Sequence, residues 1–306
     1  MLTLRARSAA KINLSLDVLD RLPNGYHTLR SVVHPVGWWD EIELSFRDDD
    51  QIEFACNIEE LGGDDNLCVR AFSAWRAASG FVGGATIRLR KTIPFGAGLG
   101  GGSGNAAAVL LLTNTHPAVL LPPERLHEIA ARLGADVPLF LSAWPVLMEG
   151  IGDSITPIAP IQGWVLLLKP REGFSTPAIY RAWDESESQS QHGTHRLLGD
   201  EVEDYGTAPW YSSDVRVIAP LLSNDLERAA RRVSPLPARC VELLREVGSL
   251  GALLSGSGSA CYGLFANESD ARRAQRALEN ELAKDVLLSG ATTHVAPLVA
   301  RGVEIQ

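Results

Sequence analysis

The segment PFGAGLGGGSGNAAAVLLL, residues 94–112, is the most informative part of this sequence. It places six glycines and a serine directly before a run of alanine, valine and leucine. Glycine allows positive φ angles and lets another molecule approach the backbone closely. The run is apolar on every side, which predicts a fully buried helix over residues 105–113. A strand predicted at residues 86–93 precedes the glycines, so the order is strand, glycine-rich turn and helix.

A glycine-rich turn before a helix is suited to binding phosphate, because free backbone N–H groups and the helix dipole both favour an anion. The Walker A loop is excluded, since no lysine follows the glycines. Gly96, Gly98 and Gly101 satisfy G-x-G-x-x-G, but residues 116–123 lack the acidic residue of a dinucleotide fold. The protein-kinase loop requires valine where Ser103 stands. A purely structural glycine hinge is the alternative that remains.

Composition excludes several classes of function. The chain has 306 residues, 45% of them hydrophobic, which is enough for one large domain or two. Its net charge of −9, without a basic patch, argues against binding nucleic acid. No segment is long enough to span a membrane, and no leader-like segment begins the chain. These observations predict a cytoplasmic protein without a nucleic-acid, membrane or obligate protein partner.

The cysteines suggest neither a metal site nor a disulfide framework, because they are scattered without C-x-x-C spacing. We predict that they are buried thiols in a reducing compartment. The four are Cys56, Cys68, Cys240 and Cys261.

Strand and helix periodicities are intermixed along the chain without regular β-α-β alternation, which favours an α+β fold. In KINLSLDV, residues 11–18, strict alternation places Lys11 and Asn13 on the same face of a strand. Antiparallel strands are predicted over residues 12–46, and a long polar surface loop or partly ordered insertion over residues 184–213. A boundary near residue 160 divides the chain into domains of residues 1–159 and 160–306. Further helices are predicted at 66–78, 124–133, 224–233, 237–248 and 269–283, and further strands at 164–170 and within 251–265.

The motif P-F-G-A-G-L-G-G-G-S-G-N-A-A resembles the phosphate-binding motif of the GHMP kinases, which include galactokinase and the homoserine, mevalonate and phosphomevalonate kinases. The sequence LLSGSGSACYGLF, residues 253–265, resembles the third motif of that family. Three stretches narrow the resemblance to the branch that phosphorylates 4-diphosphocytidyl-2-C-methyl-D-erythritol (CDP-methylerythritol) in non-mevalonate isoprenoid synthesis. They are SAAKINLSL at 8–16, NGYH at 24–27 and LGADVP at 133–138.

The resemblance implies a two-domain fold, with an N-terminal ribosomal-protein-like domain and a C-terminal α/β sandwich domain. It also implies ATP as phosphoryl donor, Mg²⁺ as cofactor and the 2-hydroxyl of CDP-methylerythritol as acceptor. The residues expected to bind ATP are Pro94, Phe95, Gly96, Ala97, Gly98, Leu99, Gly100, Gly101, Gly102, Ser103 and Gly104.

Phosphoryl transfer requires a positioned hydroxyl and neutralisation of the γ-phosphate charge. Asp136 is predicted to accept the hydroxyl proton as general base, or at least to orient the hydroxyl. Lys11 is predicted to stabilise the developing charge and to pair with Asp136. The resemblance assigns the same two residues to catalysis. Two alternatives are that Asp136 caps a helix beginning at Val137–Pro138 and that Lys11 is a solvated strand residue.

The acceptor site depends on the resemblance, which implies that Tyr26 and Tyr180 sandwich the cytosine ring and that His27 contacts its edge. Asn13 is expected to touch the erythritol portion or the phosphates. Tyr180 could instead be an ordinary core aromatic, and Asn13 a buried side chain bonded to the backbone.

Two positions depart from the family pattern. Ala9 stands where proline is usual. Gly104 replaces the second serine of the loop, which leaves Ser103 as its only hydroxyl and puts direct serine ligation of Mg²⁺ in doubt. We therefore expect the phosphates and water to hold Mg²⁺. Alternative functions are a GHMP kinase of the homoserine or mevalonate type, a non-catalytic nucleotide-binding protein and an RNA-binding module.

Overall fold

The computed structural model describes residues 3–141, 145–152, 154–187, 210 and 212–306. The strands are β1 (Thr3–Asn13), β2 (Ser15–Arg21), β3 (His27–Arg47), β4 (Ile52–Cys56), β5 (Gly84–Arg90), β6 (Val146–Gly150), β7 (Ser154–Pro157), β8 (Trp164–Lys169), β9 (Ser223–Asn224), β10 (Gly251–Leu254), β11 (Cys261–Phe265), β12 (Thr292–Pro297) and β13 (Val303–Ile305). The α-helices are α1 (Leu67–Ser79), α2 (Gly101–Thr113), α3 (Pro123–Leu133), α4 (Thr176–Glu187), α5 (Val215–Ile218), α6 (Leu226–Val233), α7 (Leu236–Glu246) and α8 (Glu268–Leu282). Short 3₁₀ helices occur at Glu59–Leu61, Pro138–Leu141 and Ala219–Leu221. The α+β class is confirmed.

The larger sheet is organised around β3, a strand of 21 residues. Its first half pairs with β2 and β6, its second half with β5, and β1 runs antiparallel along most of its length. The register between β1 and β3 shifts between Ala9 and Ala10. There the Ala9 N–H donates a hydrogen bond of 2.7 Å to the Gly302 carbonyl. The proline that is usual at this position in the GHMP kinases has no N–H and could not make this hydrogen bond.

The smaller sheet has the order β10-β11-β8-β12, and every neighbouring pair is antiparallel. The prediction of a central strand at WVLLLKP is confirmed, because β8 is hydrogen-bonded on both sides and buried along most of its length. Two later strands return to the larger sheet, where β9 pairs with β2 and β13 with β1. The domain division at residue 160 stays a prediction.

The buried helix α2 begins at Gly101, four residues before the predicted start at 105. The prediction was late because glycine disfavours helix interiors. Here the absence of side chains lets the helix approach β1. A Cβ atom at Gly104 would lie 3.3 Å from the Ala9 carbonyl oxygen and 3.2 Å from the Phe140 ring.

Of the two alternatives predicted for residues 184–213, the surface loop is wrong at its start, since α4 extends to Glu187. Helix α4 packs against α6, and Asp184 in its last turn contacts His27, a tertiary contact that the polar sequence alone did not indicate. The remainder of the predicted loop, up to residue 209, lies outside the described residues. In the described parts of the chain, no helix combines the length and the apolar content needed to cross a membrane.

A buried histidine joins β3 to the segment that enters the smaller sheet. His34 Nδ1–H donates to the Pro35 carbonyl at 2.8 Å, and Nε2 accepts from the Ile161 N–H at 3.0 Å. Burial lowers the pKa of His34 from 6.5 to about 4. Between pH 6.5 and about pH 4, the imidazole is therefore mostly neutral in the folded protein and mostly protonated in the unfolded chain.

Acidification should consequently destabilise the fold. Since the unfolded state binds the proton first, stability falls as the pH drops from 6.5 to 4, by about 3 kcal/mol for this one group. Urea unfolding at pH 7.5 and 4.5 should show this loss. His34→Gln should flatten the pH dependence by about 2 kcal/mol, whereas His127→Gln, at an exposed position of α3, should leave it unchanged. Equal pH dependences in His34→Gln and the parent protein would contradict the assignment.

Candidate active site

A cleft of about 580 Å³ opens where β1, the N-terminus of α2, the N-terminus of α4 and the β10–β11 turn meet. Nine predicted site residues line it: Lys11, Asn13, Tyr26, His27, Gly98, Gly100, Ser103, Asp136 and Tyr180. The remaining predicted loop residues lie beside this cleft. Phe95, Gly96 and Gly102 are exposed, Pro94 is half-buried, and Ala97, Leu99, Gly101 and Gly104 are buried.

The glycine-rich loop alternates between two environments. Gly96, Gly98 and Gly100 have φ angles of 63°, 75° and 67°, while Ala97 and Leu99 between them are packed in the core. A Cβ on Gly98 would lie 2.3 Å from the Ser255 carbonyl oxygen, and one on Gly100 would lie 2.7 Å from Lys11 Cγ. Glycine is therefore required at both positions by space as well as by backbone conformation.

The loop also places the N-terminus of α2, a helix end suited to binding an anion, beside the cleft. Gly100 caps α2 in the left-handed conformation, and the first backbone N–H groups of a helix have no partner within it. These N–H groups and the helix dipole provide positive potential beside Ser103.

Lys11, in strand β1, is held in place by contacts with three other residues. Its backbone N–H donates to the Leu99 carbonyl at 2.9 Å, and its Nζ donates to Asn13 Oδ1 at 2.7 Å. Nζ also lies 3.4 Å from Asp136 Oδ2. Only 5% of the Lys11 side chain is exposed, so the alternative of a solvated strand residue is wrong.

Asp136 faces the cleft with 31% of its side chain exposed. It follows α3 and precedes the 3₁₀ helix Pro138–Leu141. Among the described residues, no backbone N–H donates to its carboxylate, which argues against the helix-cap alternative. The predicted Lys11–Asp136 ion pair is present.

The Asn13 amide is oriented by a chain of side-chain hydrogen bonds. Its Nδ2 donates to Ser31 Oγ at 2.8 Å, and that hydroxyl donates to the Ser15 carbonyl at 2.5 Å. Oδ1 is thereby turned toward Lys11. The alternative of an amide bonded to the backbone is wrong for the side chain, although the Asn13 carbonyl accepts from the Tyr262 hydroxyl at 2.7 Å.

An aromatic group lies at the other end of the cleft. The Tyr180 ring stacks on His27 with centroids 5.3 Å apart and planes at 20°, and Trp183 meets the same imidazole edge-on at 5.2 Å. Burial, with a smaller effect from the Asp136 charge, raises the pKa of Tyr180 to about 12. Tyr26 is 70% exposed at the rim. The cytosine sandwich by Tyr26 and Tyr180 stays a prediction.

Two family profiles match this chain. The N-terminal domain of GHMP kinases matches residues 66–143, and their C-terminal domain matches residues 211–284. The chain is also 37% identical to a 4-diphosphocytidyl-2-C-methyl-D-erythritol kinase of Geobacter metallireducens, over 92% of this chain and 95% of that protein. The chain belongs to the GHMP kinases.

Solved structures of other GHMP kinases share the same architecture. A crystal structure of a 4-(cytidine 5'-diphospho)-2C-methyl-D-erythritol kinase superposes with a TM-score of 0.77 at 32% identity, covering 96% of this chain and 98% of that one. A homoserine kinase from Cytophaga hutchinsonii superposes with a TM-score of 0.75 at 16% identity, covering 99% and 97%. At that lower identity the likeness shows the fold alone.

The oxygen donors of this GHMP kinase fit a hydrated Mg²⁺ held mainly by a substrate. Within the described ranges, no three His, Cys, Asp or Glu side chains gather to hold a metal ion. Ser103 and Asp136 line the cleft and offer a hydroxyl and a carboxylate. A side chain at Gly104 would instead point toward Phe140 and Ser8, so the hydroxyl missing there is not directed at the cleft. The absence of a hydroxyl at Gly104 therefore removes no side-chain oxygen from the cleft.

The structure adds site residues that the sequence did not single out. Gly256 and Ser257 of the β10–β11 turn, together with Thr176 and Pro177 at the start of α4, line the cleft of this kinase. Asp184 contacts His27 from α4. The four-residue spacing from Tyr180 to Asp184 could have indicated a shared helix face, had residue 184 been assigned to the helix.

Proposed function

We propose that this GHMP kinase transfers the γ-phosphoryl group of ATP to the 2-hydroxyl of CDP-methylerythritol and releases ADP, in non-mevalonate isoprenoid precursor synthesis. The supporting observation is one cleft that joins the Lys11–Asp136 pair to the α2 N-terminus at one end and to His27 and Tyr180 at the other. The relatives that carry the name of this kinase cover nearly the whole chain, which supports the same acceptor.

The nucleotide end of the cleft binds and positions the donor phosphates. The backbone N–H groups at the start of α2 face the anion, and the glycines let the phosphates approach without a side chain between them. Residues 94–104 form this part of the proposed ATP site. Little covalent chemistry is required of the protein in such a transfer, so positioning and charge neutralisation carry most of the catalysis.

The reaction centre lies between Lys11 and Asp136. The acceptor oxygen attacks the γ-phosphorus, the bond from that phosphorus to the leaving oxygen of ADP breaks, and Asp136 takes the hydroxyl proton. The Lys11 ammonium stabilises the negative charge spread over the transferred group, and Asn13 holds that ammonium in place.

Mg²⁺, when bound with ATP, neutralises the phosphate charge and orients the γ-phosphate. The Ser103 hydroxyl is a side-chain group of the cleft that would assist in holding it. Water and phosphate oxygens would supply most of its ligands, as the reluctance of Mg²⁺ to dehydrate allows.

The proposal is tested by measuring ADP release with ATP and Mg²⁺ in the presence of CDP-methylerythritol, mevalonate, homoserine or no acceptor. ADP should form only with the cytidine substrate. Tyr26→Ala and His27→Ala should raise KM for that acceptor by about 10-fold or more, since each base contact contributes about 1–3 kcal/mol. Turnover of another acceptor, unaffected by these two variants, would support a homoserine- or mevalonate-type kinase. ATP binding without any turnover would support a non-catalytic nucleotide-binding protein.

A further inference from the structure

The imidazole of His27 is paired with a carboxylate that belongs to the second half of the chain. His27 Nε2 lies 2.8 Å from Asp184 Oδ1, with 3% of the histidine side chain and 25% of the aspartate side chain exposed. We propose that Asp184 is a positioning residue that fixes the tautomer of His27 and so makes the site select a base with an exocyclic amine. This inference rests on the proposed function and deepens it.

The direction of the hydrogen bond follows from the chemistry of its partners. Asp184 faces a second cation, because Arg21 Nε lies 3.7 Å from Oδ2. An ionised carboxylate only accepts hydrogen bonds, so His27 Nε2 must carry the proton that it donates. In a neutral imidazole the other nitrogen, Nδ1, is then an acceptor.

The ring cannot readily turn over to exchange its two nitrogens. Tyr180 stacks on one face of the ring, Trp183 meets it edge-on, and little of it is exposed. A half-turn would move Nε2 away from Asp184 and break a short, part-buried hydrogen bond. Asp184 therefore sets which nitrogen is protonated and also which nitrogen points elsewhere.

His27 lines the cleft, and no described residue is hydrogen-bonded to its Nδ1. A lone pair at this place can accept a hydrogen bond from a ligand but cannot donate one. Cytosine presents an amine donor at position 4, whereas uracil presents an oxygen acceptor there. Nδ1 and the uracil oxygen are both acceptors, so they repel each other and both lose water without gaining a hydrogen bond. The tautomer that favours cytosine therefore disfavours uracil.

Helix α4 supplies two of the groups that contact His27. Tyr180 and Asp184 are four residues apart on this helix and therefore adjacent on its surface. Tyr180 stacks on one face of the His27 ring, and Asp184 accepts a hydrogen bond from Nε2 at the edge of that ring. One helix thus restricts both the orientation and the tautomer of His27.

The test compares Asp184→Asn with the parent enzyme, using CDP-methylerythritol and its uridine counterpart as acceptors. An asparagine amide can either accept from or donate to Nε2, so the tautomer is no longer imposed. We expect the parent to prefer the cytidine acceptor in kcat/KM by at least about 100-fold, and Asp184→Asn to reduce that preference by about 10- to 100-fold. The change should arise in KM for the acceptor, with KM for ATP unchanged. Glu185→Gln removes a negative charge from the neighbouring position of α4 and should leave the preference unaltered.

A second measurement does not depend on turnover. Nitrogen-15 NMR of the His27 ring should show a protonated Nε2 and an unprotonated Nδ1 in the parent, and a mixture of tautomers in Asp184→Asn. Calorimetry with CDP and UDP should show the same loss of discrimination. A protonated Nδ1 in the parent, or an unchanged CDP-to-UDP ratio in a folded Asp184→Asn variant, would overturn the proposal. If neither acceptor is turned over, the proposed function fails, while the NMR and the CDP and UDP affinities still decide the role of Asp184.

Discussion

Asp136→Asn is expected to lower kcat by about 10²- to 10⁴-fold, the range over which a positioned general base contributes. The asparagine amide keeps the shape of the carboxylate and can still hold the acceptor hydroxyl in line, but it cannot take the proton. The ion pair with Lys11 at 3.4 Å is lost, yet Lys11 keeps its hydrogen bond to Asn13. Phosphate binding should therefore persist, and KM for ATP should change little.

Steady-state kinetics with both substrates varied will measure this effect. Glu124→Gln is a suitable control, because it removes an exposed carboxylate from the first turn of α3 without touching the cleft. Its kcat should stay near the parent value. A kcat for Asp136→Asn within about threefold of the parent would mean that this residue only orients the hydroxyl, as a loose transition state permits.

Asp40→Ala is expected to lower the free energy of unfolding by about 3–5 kcal/mol, the usual cost of removing one partner from a buried ion pair. The Asp40 side chain is fully buried, and its Oδ2 pairs with Lys91 Nζ, itself only 2% exposed. Its other oxygen accepts from the backbone N–H groups of Thr92 at 2.7 Å and Ile93 at 2.9 Å. Truncation would leave a cation and two donors without partners.

This network also supports the start of α2. Asn105 Nδ2 donates to Asp40 Oδ2 at 2.9 Å and to Ser8 Oγ at 2.8 Å, so helix α2 is tied to β1 and β3. Lys91 Nζ is the atom nearest to where a Cβ on Gly101 would lie, at 2.6 Å. Loss of Asp40 should therefore loosen the glycine-rich loop and raise KM for ATP in any variant that still folds.

The neighbouring residue provides a matched control. Glu41 pairs with Arg90 at 3.1 Å, with 55% and 67% of the two side chains exposed, and Glu41→Ala should cost at most about 1 kcal/mol. Urea unfolding followed by circular dichroism will compare the two variants. The double variant Asp40→Leu/Lys91→Met should be more stable than Asp40→Ala, because neither charge is then left unpaired. Equal losses for Asp40→Ala and Glu41→Ala would show that the buried pair does not stabilise the fold.

Features encoded by neighbouring residues were predicted correctly from the sequence. Strict alternation placed Lys11 and Asn13 on one face of a strand, and their side chains are hydrogen-bonded. Asn66, the first residue of the helix predicted at 66–78, is the N-cap of α1, and its Oδ1 accepts from the Cys68 N–H at 2.9 Å. These properties depend on the repeat of the backbone and on side chains within a few residues, so short segments contain the necessary information.

Where packing competes with local preference, the sequence was a poorer guide. Glycine disfavours a helix, yet Gly104 is helical, at a place where a Cβ would lie 3.2 Å from the Phe140 ring and 3.3 Å from the Ala9 carbonyl oxygen of β1. The polar residues at the end of α4 gave no apolar stripe, yet the helix continues to Glu187, and Asp184 within that end contacts His27.

By itself, the sequence determined the chemistry available to this protein: a glycine-rich phosphate loop, a lysine, an aspartate and a set of aromatic residues. The tertiary structure decided which of these groups meet and in which state. Lys11 reaches Asp136, Asp40 neutralises Lys91, and Asp184 orients His27 only when distant segments pack together. The physical reason is that local conformation depends on neighbouring residues, whereas contacts between residues far apart in the chain form only when the cores of both sheets are buried.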